Sequence, residues 1–143
     1  MFQSLPRAEK IALAFDRPSG ALGLLVTGDV KSTTVADLQR DIFALLEHER
    51  VRELTPRLIA LDLRAAGLVD SLGLNLIIAI LRWARERNLP LAIDVGRRAV
   101  YLTMLAVGLD RQTDLRFHEV PVETTGSSGK PGESPTGAAK PTG

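Results

Sequence analysis

Leu68-Val69-Asp70-Ser71-Leu72-Gly73-Leu74 stands between two apolar patterns of different period. Before it runs Leu58-Ile59-Ala60-Leu61-Asp62-Leu63, a nearly unbroken apolar run of strand length. After it, apolar residues recur at helical spacing from Leu74 to about Arg87. One serine hydroxyl is therefore presented at the mouth of a helix, with an acid before it and a glycine two residues on. Three roles are open to such a serine: helix cap, nucleophile or phosphate acceptor.

The patterns on either side extend this junction into a fold. Residues 10–15 and 20–30 read as two strands. Arg17-Pro18-Ser19-Gly20 between them is a turn sequence, so the pair is expected to form a hairpin. Ser32, Thr33 and Thr34 offer helix caps, with Thr34 and Asp37 at capping-box spacing. Val35, Leu38, Ile42, Leu45 and Leu46 then mark one face of an amphipathic helix. Pro56 ends that unit. The run 58–63 suits a strand buried on both faces of a sheet. The helix after Ser71 is expected to stop near Asn88-Leu89-Pro90. A strand follows at 91–95, a helix at 97–107 with Gly108 as its stop, and an edge strand at 115–120. The order is β-β-α-β-α-β-α-(β), an α/β domain with a central mixed sheet of four to five strands and three to four helices. Strand–helix alternation in the second half predicts parallel pairs with right-handed crossovers. No internal repeat is visible.

Composition changes after Val122, so residues 1–122 read as one domain and 123–143 as a disordered tail of Thr, Gly, Ser, Pro, Ala, Lys and Glu. Gly126-Ser127-Ser128-Gly129-Lys130 in that tail has the wrong spacing and context for a phosphate loop.

Composition also removes several classes of function. The chain has no cysteine, which excludes disulfides, thiolate metal sites and cysteine nucleophiles together. A net charge of +1, with arginines spread along the chain, makes no electrostatic case for direct nucleic-acid binding. The longest apolar run, within 74–81, is far short of the roughly 20 residues that span a bilayer. Met1-Phe2-Gln3-Ser4-Leu5-Pro6-Arg7 lacks the regions of a signal peptide, so a cytoplasmic protein is expected. His48 and His118 have no ligand spacing to each other, so neither a metal nor a cofactor is assigned. The chain contains no G-x-S-x-G elbow, no S-x-x-K set at Ser71 and no G-x-G-x-x-G loop.

The chain resembles the STAS domain family, and within it the anti-sigma factor antagonists. Three places carry the resemblance, over about residues 8–120. Thr27-Gly28-Asp29-Val30 resembles the family's glycine-containing strand end. Leu61-Asp62-Leu63 followed by Val69-Asp70-Ser71-Leu72-Gly73-Leu74 resembles its strand, loop and D-S-[ST]-G-L signature. Val107-Gly108-Leu109-Asp110 resembles the helix end before its last strand. The resemblance implies a non-enzymatic partner switch. An unphosphorylated antagonist binds an anti-sigma factor, often itself a serine kinase, and so frees a sigma factor. The kinase phosphorylates the serine after the aspartate, here Ser71, and a phosphatase resets it. Asp70 and Gly73 are then loop and helix-cap support. Partner contacts fall to Lys31, Ser32, Thr33, Leu72, Asn75 and Ala79. The chain departs from the usual pattern at Leu72, where many members carry a second Ser or Thr, and at Lys31, where many carry an acid.

Physical chemistry adds its own expectations. Ser71 suits a helix N-cap, and the same amides that it would cap favour a phosphate. Asp70 is expected to bond loop amides, Gly73 to allow close packing, and Asp62 to find a backbone or arginine partner near a strand end. On the helix after Ser71, Asn75, Arg82 and Glu86 fall on one line facing solvent, flanked by Leu72, Ile78, Ala79 and Trp83. Leu72 is the foremost candidate for an exposed contact. Two alternatives stay open. One is a STAS scaffold without switching, as a subunit of a regulatory or membrane-associated complex. The other is a small α/β enzyme or nucleotide binder using Ser71 as nucleophile or Asp94 at a strand end.

Overall fold

In a computed structural model, residues 5–119 are described. The tail expected at 123–143, and Val120 at the end of the expected last strand, lie outside them. Five strands form one sheet in the order β1-β2-β3-β4-β5: β1 Ile11–Asp16, β2 Ala21–Val26, β3 Leu58–Leu63, β4 Leu91–Val95 and β5 Asp114–Phe117. The β1–β2 hairpin is antiparallel and the other pairs are parallel, as the alternating pattern predicts. Four α-helices connect them: α1 Val35–Leu46, α2 Glu49–Glu53, α3 Ser71–Glu86 and α4 Arg98–Ala106. A 3₁₀ turn, Leu109–Arg111, precedes β5.

Strand order follows chain order across β2 to β5, so right-handed crossovers put every helix on the same face of the sheet. Burial agrees. Alternate strand residues such as Leu22, Leu24, Ile59, Leu61, Leu63, Ile93 and Val95 form one cluster with Leu38, Ile42, Leu76, Ile77, Ile80, Val100 and Met104 of the helices. The other sheet face carries Ala21, Gly23, Leu25, Ala60, Asp62 and Asp94, only partly covered or exposed. The expectation that residues 58–63 are buried on both faces is therefore corrected. Ile59, Leu61 and Leu63 are buried, whereas Leu58, Ala60 and Asp62 are half-buried. An apolar run does not show whether helices cover one face or two.

Three further expectations are revised. The second strand ends at Val26, not at Val30, because its partner β1 begins opposite it at Ile11. Gly28 then turns the chain with φ 116°, a region that L side chains rarely adopt. The capping box at Thr34 does not form. Its hydroxyl accepts from the Lys31 amide (3.1 Å) and lies 2.9 Å from the Asp29 carbonyl oxygen, so it organises the loop before the helix. Finally, the helical unit expected to end at Pro56 is broken after Leu46, and Glu49–Glu53 form a separate α2 with the His48 ring as its cap: Nδ1 accepts from the Arg50 amide at 3.1 Å.

Candidate functional site

The loop from β2 to α1 and the loop from β3 to α3 meet at the carboxyl end of the sheet. A single parallel bridge, Val30 to Val69, joins them outside the named strands. The Val30 amide donates to the Leu68 carbonyl (3.0 Å), and the Asp70 amide donates to the Val30 carbonyl (3.2 Å). Two carboxylates then clasp the loops in opposite directions. Asp29, in the first loop, accepts from the Gly67 and Leu68 amides at 2.8 and 3.2 Å. Asp70, in the second, accepts from the Ser32 amide at 2.8 Å. Each loop therefore satisfies backbone donors of the other, and the bridge residues Val30 and Val69 are buried in the core beneath.

Asp70 also caps α3. Its backbone is extended (φ −94°, ψ −172°), and its Oδ1 accepts from the Gly73 amide at 2.9 Å. These amide bonds, from Gly73 first and Ser32 second, hold the Asp70 carboxyl below its ordinary value. The expectation that Ser71 caps the helix is corrected. Ser71 is the first helical residue, one position too late to reach the Gly73 amide as a cap, and the neighbouring carboxylate takes that bond. The Ser71 hydroxyl is exposed and has no hydrogen-bond partner among the described residues.

Gly73 is where α3 touches the bridging strand segment. A Cβ there would overlap the Val30 carbonyl oxygen and lie 2.9 Å from the Val30 carbonyl carbon. The glycine is required by close approach, as expected, and it seats the helix end against the first loop.

Around Ser71 the surface is apolar where the loops are polar beneath. Leu72 is 46% exposed and Leu68 is 48% exposed. Ser32 and Thr33 are exposed in the clasped first loop. Lys31 beside them lies 3.9 Å from Asp29, a loose exposed pair. Asn75 and Ala79 continue from Leu72 along α3 at intervals of three and four, Asn75 exposed and Ala79 half-buried. Arg82 and Glu86 are exposed further along, and Ile77, Ile80 and Leu81 are buried, as the helical phase predicts. The bond from Ser32 to Asp70 is what brings the two groups of residues into one surface. Asp29 and Leu68 were not singled out by sequence reasoning. Asp29 lies in the Thr27-Gly28-Asp29-Val30 segment, but nothing there signals that its carboxylate reaches another loop.

Two other carboxylates sit side by side on the open sheet face, Asp62 opposite Asp94. Arg64 grips Asp62 through two bonds of 3.0 and 2.8 Å, and this holds the Asp62 carboxyl below its ordinary value. Asp62 thus has the arginine partner expected of it. Asp94 is engaged by Arg116 Nε at 3.0 Å and by His118 Nε2 at 2.6 Å. No group of three or more metal-ligating side chains is present among the described residues. No helix among them is long and apolar enough to cross a membrane.

No family model and no curated protein matches the sequence. Solved structures do match. A protein of Thermotoga maritima assigned as an anti-sigma factor antagonist superimposes with a TM-score of 0.62 at 16% identity, covering 76% of this chain and 86% of the other. A serine-to-glutamate variant of RsbS from Moorella thermoacetica gives a TM-score of 0.55 at 16% identity, covering 77% of this chain and 88% of that one. The chain shares its fold with these structures, and its sheet of five strands with four helices on one face is the α/β architecture expected from the sequence.

Proposed function

We propose that the chain is an anti-sigma factor antagonist whose hold on its partner is set by phosphorylation of Ser71. The observation that carries the reading is the Ser71 hydroxyl, exposed and without a partner among the described residues, between the exposed side chains of Leu68 and Leu72. The partner is an anti-sigma factor with serine kinase activity, and a phosphatase reverses the modification. The fold shared with the Thermotoga maritima protein assigned as an anti-sigma factor antagonist supports the same role.

Phosphate on Ser71 adds about −1.5 to −2 charges to this surface. It does so next to the Asp70 carboxylate, which already uses the Gly73 and Ser32 amides. The modification therefore leaves the clasp beneath intact and acts on what docks above. A loss of about 2.7 kcal/mol in binding is a factor of about one hundred, enough for a working switch. Leu68 and Leu72 supply the apolar centre of the docking surface, and Lys31, Ser32, Thr33, Asn75 and Ala79 supply its surround.

The test is binding of wild type, Ser71→Ala and Ser71→Asp to a serine-kinase anti-sigma factor encoded in the same genome. Wild type and Ser71→Ala are expected to bind alike, and Ser71→Asp to bind at least about tenfold more weakly. Equal binding by Ser71→Asp favours the second reading, a scaffold that does not switch. That reading has its own support in Leu72, which adds exposed apolar area where the usual signature has a second hydroxyl.

A further inference from the structure

The far end of α3 closes a cleft that the proposed switch does not use. Its floor is Leu22, Leu46 and Val51, all buried in the core. Its wall is Trp83, and its volume is about 240 Å³. The wall is held in place from α1. Glu47 Oε2 accepts from Trp83 Nε1 at 2.9 Å and from Arg87 Nη2 at 3.0 Å. The Arg87 guanidinium carbon also lies 4.1 Å from the centre of the Trp83 ring, a cation–π contact. Arg52, in the last turn of α2, completes the lining. Its backbone bonds within the helix and its cap, and its guanidinium has no hydrogen bond or ion pair to any described residue.

We propose that this cleft binds a small amphipathic carboxylate, with its apolar body on the leucine and valine floor and its carboxylate on Arg52. Charge decides the sign of the ligand. Arg87 is committed to Glu47, and Glu47 Oε2 already takes two donors, so the cation left to meet a ligand is Arg52. The lining holds two guanidiniums against one carboxylate. A guanidinium presents a planar fork that matches a carboxylate. The apolar floor favours a monoanion with an alkyl or ring body over a doubly charged group, whose desolvation costs more. The volume lies below the roughly 300–1,000 Å³ of pockets for drug-sized ligands, which sets the body at a few carbons.

Trp83 is the chain's only tryptophan, so its emission reads this cleft directly. Full-length protein is titrated with butanoate, hexanoate, octanoate and octanol. The proposal expects a saturable emission change, with affinity rising about fourfold per added methylene until the cleft is full and levelling beyond that length. Arg52→Gln is expected to weaken octanoate by about tenfold or more and to leave octanol unchanged. Leu89→Phe, which narrows the lining, is expected to weaken octanoate more than butanoate. An emission change that does not saturate, octanol binding as tightly as octanoate, or octanoate binding untouched by Arg52→Gln would each overturn the proposal.

Discussion

At its amino end α3 is held by a carboxylate bonded to backbone amides, and at its carboxyl end by a carboxylate bonded to side chains. Asp70 takes the Gly73 and Ser32 amides, so Ser71, Leu72 and Leu68 are left pointing outward with nothing to hold. Glu47 takes the Trp83 indole and the Arg87 guanidinium, so those side chains are fixed and enclose space. The same chemical group thus produces an exposed surface at one end and a cleft at the other. Backbone clasping frees side chains for a macromolecular partner, and side-chain clasping shapes a site for something small.

Breaking the amino end has the largest expected effect. Gly73→Val drives a branched side chain into the Val30 carbonyl and separates α3 from the first loop. Urea unfolding is expected to register a loss of about 3 kcal/mol, in the upper range for overpacking. A loss below about 1 kcal/mol would mean the loops do not depend on that contact. At the carboxyl end, Glu47→Ala removes the anchor of Trp83 and Arg87. Both ionic partners are substantially exposed, so the stability cost is expected near 0.5–1 kcal/mol by the same measurement. The sharper readout is Trp83 emission, which is expected to shift to the red as the ring loosens. An unchanged spectrum would show that the indole is held by packing alone.

Acid sharpens the comparison further. The carboxyl groups of Asp70 and Asp62 lie below their ordinary value in the folded protein. Such groups contribute stability above the unfolded value of about 3.9, and the contribution is lost as pH falls through the lower folded value. Unfolding measured below about pH 4 is expected to show stability falling with pH, with a shallower fall in Asp70→Asn and in Asp62→Asn. Parallel curves for wild type and both variants would contradict the assigned roles. The smallest expected stability effect is at Leu72. Leu72→Ala is expected to change stability by less than about 0.5 kcal/mol, because the side chain is exposed. Partner binding is where it is expected to fall. A large loss of stability instead would mean that Leu72 is structural.

Much of this architecture is legible in the sequence because its signals are long. Residues 58–63 form β3 over the predicted span, and the buried face of α1 is the face that Leu38, Ile42, Leu45 and Leu46 mark. What fails to show is short or tertiary. The helix α2 has five residues, too few for a period to declare itself, and it depends on a histidine ring as its cap. Asp70 and Ser71 are both good capping residues, and only the backbone angles at Asp70 decide between them. Thr34 and Asp37 have capping-box spacing, yet the Thr34 hydroxyl is committed to Lys31 and Asp29. The clasp of Asp29 on Gly67 and Leu68 spans 38 and 39 residues, a separation no local pattern records.

The hydroxyl left free by the Asp70 cap is the proposed phosphate acceptor. Intact mass spectrometry of the full chain, after incubation with ATP and a serine-kinase anti-sigma factor, tests it most directly. Wild type is expected to gain one phosphate and Ser71→Ala none. A wild-type chain that stays unmodified, or a gain that survives Ser71→Ala, would contradict it.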